Sequence, residues 1–127
     1  MLICKAIQDK NEQKRICGEC DCVYIEEALA YSAVDGKLLG VAQFSLKEDG
    51  GHLYNINEAV GTHDVEALFV LGSAVMNFVD LLDEKNMYYD GCDEKIARML
   101  GFKKNEDGRY YINMTGLFDS PCSCRAQ

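Results

Sequence analysis

The sequence predicts a mixed α/β domain whose mostly antiparallel sheet is crossed by one long helix, and three observations carry this. Between residues 28 and 60, three runs of alternating apolar and polar character are separated by the turn signals Asp35-Gly36 and Glu48-Asp49-Gly50-Gly51. Next, Val65, Leu68, Phe69, Gly72, Val75, Met76, Val79 and Leu82 recur at helical three- and four-residue spacing. From 87 onwards the chain returns to short segments divided by Gly91, Gly101 and Gly108.

Residues 28 to 34 (Ala-Leu-Ala-Tyr-Ser-Ala-Val) form the first predicted strand, and Asp-Gly accepts the positive φ of a tight hairpin into a second strand over 38 to 47. A third strand, 52 to 60, places Tyr54, Ile56, Glu58 and Val60 on one face. The helix spans 64 to 84, with Thr62 or Asp64 as cap and with Asp64 and Glu66 at the positive end of its dipole. Leu71, Phe78 and Leu81 widen its apolar stripe, so most of the helix must be covered by a sheet. A strand at 87 to 90 and a helix over 93 to 100, closed by Gly101, come next. A hairpin of 102 to 104 with 109 to 114 ends the pattern.

At 127 residues and 48% hydrophobic composition, the chain is expected to be one domain over 1 to 127, able to build a core without metal or disulfides. Thirteen Lys and Arg against 21 Asp and Glu leave a net charge of −8, which disfavours nucleic acid and anionic lipid as partners. The uncharged stretch from Ala67 to Asn77 falls short of the roughly 18 to 20 residues needed to cross a bilayer. Met1-Leu2-Ile3-Cys4-Lys5 lacks the regions of a secretory signal, so the chain is expected in the cytoplasm with reduced cysteines.

The order of elements, with Leu71-Gly72-Ser73-Ala74-Val75-Met76 in the long helix and Leu100-Gly101-Phe102-Lys103 after the short one, resembles the GNAT family of N-acetyltransferases over about residues 28 to 116. The resemblance implies the GNAT acyl-CoA N-acyltransferase fold, acetyl-CoA as co-substrate, and transfer of an acetyl group to an amine on a small molecule or peptide. It implies Glu58 as the base, Ala59 and Val60 as backbone contacts beside the thioester, and Leu71, Gly72 and Ser73 as backbone contacts to the pyrophosphate. The chain departs from the family at several points. Aligned on Gly72, the family's basic or amide residue is Ala67 and its middle glycine is Val70, so the coenzyme A loop is degenerate. The tyrosine that protonates the leaving thiolate is Ala97, and the asparagine after the preceding strand is Asp90. Tyr88, Tyr89, Tyr110 and Tyr111 are the nearest tyrosines in sequence. The alternative is a catalytically inactive protein of the same fold that acts as a ligand-binding or interaction module.

Among the remaining residues, His52 and His63 are read as turn or cap histidines. Cys17-x-x-Cys20-x-Cys22 with Cys122-x-Cys124 supplies enough thiolates for zinc if the termini meet, although the spacing is imperfect and zinc is not the expected reading. Cys4 and Cys92 sit beside or within apolar segments and are expected to be packed. Arg15, Glu19, Asp21, Ser123 and Arg125 surround the other five, which are therefore expected to be exposed and the first to alkylate.

Overall fold

The computed structural model describes residues 1 to 118. Seven strands form one mixed sheet: β1 (Ile3–Ala6), β2 (Leu29–Val34), β3 (Leu38–Lys47), β4 (Gly50–Glu58), β5 (Asn86–Tyr89), β6 (Lys103–Lys104) and β7 (Tyr110–Asn113). Their order is β1-β2-β3-β4-β5-β7-β6, and only the β4–β5 pair is parallel. Among the described residues there are three helices: α1 (Lys10–Glu19), α2 (Val65–Leu81) and α3 (Glu94–Met99).

The elements from residue 28 onwards follow the sequence pattern closely. Gly36, at φ +73°, turns β2 into β3. The Asp64 side chain caps α2 by accepting from the Ala67 amide at 2.9 Å. Leu71, Val75 and Val79 lie on the covered stripe of α2 and pack into one core with Phe44, Leu53, Met87 and Phe102. Full burial of such side chains contributes about 1.5–3 kcal/mol each. Gly72 faces α3, where an added Cβ would stand 2.6 Å from a δ carbon of Leu100, so the glycine lets the C-terminal end of α3 approach closely.

The first 28 residues hold two elements that hydrophobic periodicity does not reveal. β1 pairs antiparallel with β2, and α1 lies on the sheet face opposite α2. Only Gln13, Ile16 and Cys17 of α1 are buried, too few to write a helical stripe into the sequence. Its local signals are the Asp9 cap, which accepts from the Asn11 amide at 3.0 Å, and the Glu12–Arg15 and Arg15–Glu19 pairs.

Beneath α1 lies a buried amide network centred on Gln43. Its Oε1 accepts from Gln13 Nε2 and from the Ile25 amide, each at 3.0 Å, while its Nε2 donates to Val23 O at 2.8 Å and Asn55 Oδ1 at 3.0 Å. Asn55 in turn donates to Asn57 Oδ1 at 2.8 Å, so the network runs from α1 across β3 into β4. All four hydrogen-bonding positions of a fully buried glutamine are thus filled.

Candidate functional site

β4 and β5 run together for three residues and then part. Gly51, His52 and Leu53 pair with Met87, Tyr88 and Tyr89, and the Asp90 amide adds a last bond to Leu53 O at 2.8 Å. From that point β5 turns away into α3, and β4 continues to Glu58 with a ladder partner only on its β3 side. The parting coincides with a bulge. Gln43 opposes Asn55 and Phe44 opposes Leu53, leaving Tyr54 unmatched and bending β4 where its outer edge becomes free. Between this edge, the start of α2 and α3 lies a cleft of about 420 Å³, with Ile56, Leu68, Ile96 and Met99 as its apolar lining and Glu58, His63, Asp93 and Lys95 among its polar groups.

Glu58 ends β4 at this cleft, as the sequence suggests. Its Oε2 accepts from the Asp64 amide at 2.6 Å and its Oε1 faces His63 Nδ1 at 3.4 Å, so the carboxylate also anchors the loop that leads into α2. Ala59 and Val60 lie in that loop. Their amides are already engaged, Ala59 N with Leu39 O and Val60 N with Glu19 O, both at 2.9 Å. Leu71, Gly72 and Ser73 do not reach the helix start: they stand six to eight residues inside α2, where their amides belong to the helical ladder. The first-turn amides belong instead to Val65, Glu66 and Ala67, beside the carboxylates of Glu58, Asp64 and Glu66. Ala97 is fully buried on α3 and offers no proton.

No family model matches the sequence, and a comparison with curated proteins finds no match. Solved structures do match in shape. A GNAT family acetyltransferase from Brucella melitensis, in complex with acetyl-CoA, superposes with a TM-score of 0.68 at 14% identity, covering 89% of this chain and 88% of that one. The fold is that of the GNAT acetyltransferases. An IAA acetyltransferase from Bacillus cereus gives 0.67 at 13% identity over 84% of this chain and 79% of that one. An N-acetyltransferase from Staphylococcus aureus gives 0.62 at 11% over 89% and 94%. Within the GNAT fold of this chain, no helix is long and apolar enough to cross a membrane among the described residues.

His52 is neither a turn nor a cap residue. It is buried at the root of the parting, with Nδ1 2.7 Å from Asp90 Oδ2 and Nε2 2.7 Å from Asp49 Oδ1, and it stacks on Tyr54 and Tyr88. Arg109 lies 4.1 Å from the centre of the Tyr88 ring and pairs with Asp49 and Asp90 at 3.8 and 3.4 Å. The hydrogen bond from His52 holds the Asp49 carboxyl below its ordinary range. This cluster ties the β3–β4 turn, the end of β5 and the start of β7 together at the point where β4 and β5 part. The sequence carries only a faint sign of it, because the four residues lie on three separate segments.

The cysteines correct the sequence reading in both directions. Cys17 and Cys20 are buried at 1% and 3% exposure, whereas Cys92 is exposed. The charged residues next to Cys17 and Cys20 point outward from the other side of α1. Cys4 is partly buried and packs against the core. Cys122 and Cys124 lie outside the described residues. Among the described residues, no group of three or more His, Cys, Asp or Glu is disposed to hold a metal. Burial pushes the thiols of Cys17 and Cys20 up to about 12. Of the five described cysteines, Cys92 will therefore react first with iodoacetamide at neutral pH, and Cys17 and Cys20 last. Peptide mass spectrometry of timed samples checks that order.

Proposed function

We propose that this chain is an acyl-CoA dependent N-acyltransferase that moves an acetyl group from acetyl-CoA to an amine. The observation that carries the reading is the parting of β4 and β5 at the Tyr54 bulge. It leaves the edge of β4 from Tyr54 to Glu58 free, beside a cleft with an apolar lining. An exposed strand edge accepts an extended chain that carries amides, and the pantetheine arm of coenzyme A is such a chain. The GNAT fold of the solved structures, one of which holds acetyl-CoA, supports the same assignment.

The residues present fit the two ends of the donor unequally. The β4 edge suits the amide-bearing arm. The phosphates would meet first-turn amides of α2, but also the carboxylates of Glu58, Asp64 and Glu66, which oppose an anion. That opposition favours a second reading, a GNAT-fold module that binds a ligand without catalysis. The two are separated by mixing the protein with acetyl-CoA and a panel of small amines and peptides, then following release of free coenzyme A thiol. Amine-dependent release supports transfer, and ligand binding with no release supports the module.

Within the transferase reading, Glu58 takes the proton from the acceptor ammonium, freeing the nitrogen lone pair for attack on the thioester carbonyl. Glu58→Gln keeps a carbonyl oxygen for the Asp64 amide, so the fold is retained while kcat falls by about 10²-fold or more. Glu58→Ala also loses the loop anchor and about 1 kcal/mol of stability. Parallel turnover and thermal melting measurements check this split. Equal turnover in Glu58→Gln and the parent would leave Glu58 as a loop anchor only.

A further inference from the structure

The C-terminal end of α1 brings two thiols together through its backbone. The Cys22 amide donates to Cys17 O at 3.0 Å and the Asp21 amide to Gly18 O at 3.3 Å, with Asp21 at φ +50°. This is a Schellman cap, in which the first and sixth residues are drawn into side-chain contact. Here those residues are Cys17 and Cys22, so the backbone of the cap draws their two side chains toward one another. A backbone bond of that length holds the two Cα atoms within the range that a disulfide spans. Cys20 is different. Its side chain packs in the cluster of Ile16, Val41 and Ala59, against which Cys22 also rests, and it stands between the first and sixth residues that the cap pairs.

We propose that Cys17 and Cys22 are a redox-active dithiol that a peroxide oxidises to a disulfide, leaving Cys20 as a thiol, and that this bond staples the cap of α1 to the loop beside the cleft. Of the two, the half-exposed Cys22 reacts first. Its thiolate attacks a peroxide oxygen and breaks the O–O bond, giving a sulfenic acid and a hydroxide that takes up the proton released by the thiol to leave as water. Cys17 sulfur then attacks Cys22 sulfur, its proton leaves with the hydroxyl as a second water, and the S–S bond forms. Two electrons pass from sulfur to oxygen. Because Cys17 is a poorly acidic thiol, it is also a slow leaving group, so the bond should resist exchange with small thiols.

The connection to the loop is structural and stands whether or not the cleft takes an acyl donor. Glu19 O, inside the stapled cap, accepts from the Val60 amide, and Cys20 packs on Ala59. The test treats the folded protein with hydrogen peroxide at a few equivalents, alkylates it under denaturing conditions, and maps the tryptic peptide from Ile16 to Lys37, which carries all three cysteines. The expected product has lost two hydrogens and bears one alkyl group, on Cys20. In the same oxidised sample, hydrogen exchange at the Val60 amide slows several-fold. Three alkyl groups on the peptide after treatment, or a bond that includes Cys20, overturns the dithiol. Unchanged exchange at Val60 overturns the link to the loop. Cys22→Ser, which keeps a small polar residue at the cap, should leave Cys17 and Cys20 both alkylatable; a bond between those two in this variant would show that the cap does not select the pair.

Discussion

Replacing Gln43 by leucine will lower the stability of the folded chain by about 2–4 kcal/mol, because the buried Gln13 amide, the half-buried Ile25 amide and Asn55 side chain, and the Val23 carbonyl lose their bonds at once. The Ile25 amide and the Val23 carbonyl bond to Gln43 alone among the described side chains, while Gln13 keeps Lys10 and the Ile25 carbonyl and Asn55 keeps Asn57. An unsatisfied buried group costs about 1–3 kcal/mol, and the leucine supplies apolar contact that offsets only part of that cost. Urea denaturation checks the prediction: the midpoint should fall while the slope stays the same. A loss below about 1 kcal/mol would mean that water enters and replaces the amide. The variant also frees Asn55, whose bond to Asn57 reaches a residue that lines the cleft, so the damage extends to the site.

Gly50→Ala is the second large effect. Gly50 opens β4 at φ +139°, a conformation that residues with a Cβ rarely adopt, and the added carbon would lie 2.5 Å from the backbone oxygen of Asn86. That oxygen belongs to β5, so relief requires a shift of the backbone rather than of a side-chain tip. Strain of about 1–3 kcal/mol from the dihedral alone adds to the clash, for a total of roughly 3 kcal/mol or more. The expected result is a melting temperature lowered by about 10 °C or more, using the usual conversion for a domain of this length. A drop of one or two degrees would show that β5 yields easily, which would also weaken the case for a fixed parting between β4 and β5.

The elements legible in the sequence were those whose burial is one-sided and continuous. The alternation of β2 to β4 and the wide stripe of α2 reflect contact with a single core, and the structure places them within a few residues of the pattern. α1 and β1 were not legible, since α1 buries a glutamine, an isoleucine and a cysteine rather than an apolar face, and three of the four residues of β1 are exposed. Polar burial hides most effectively. Gln43 sits inside the apolar run Gly40-Val41-Ala42-Gln43-Phe44, and that interruption is the one sign of the network it centres.

The site was partly legible for the same physical reasons. Glu58 was named from the family resemblance, and strand alternation with helix spacing put it at the join between β4 and α2, where it stands. Leu71 to Ser73 stand inside α2, where the Gly72 signal reflects close packing against Leu100 and not a helix start. Charge beside Cys17 and Cys20 suggested exposure, but on a helix the neighbours of a buried residue face solvent, so adjacency in sequence does not measure burial. The histidine at the root of the parting needed the fold itself, since Asp49, His52, Asp90 and Arg109 meet only when the strands assemble.

Calorimetric titration with acetyl-CoA tests the central claim most directly, that the free edge of β4 receives an acyl donor. The predicted result is saturable binding with a dissociation constant of about 0.1 mM or tighter, equivalent to roughly −5.5 kcal/mol. Opposition from the carboxylates at the start of α2 should keep it well short of nanomolar. No heat at about 1 mM donor, from protein shown to be folded, would contradict the assignment and leave the GNAT fold here without its donor.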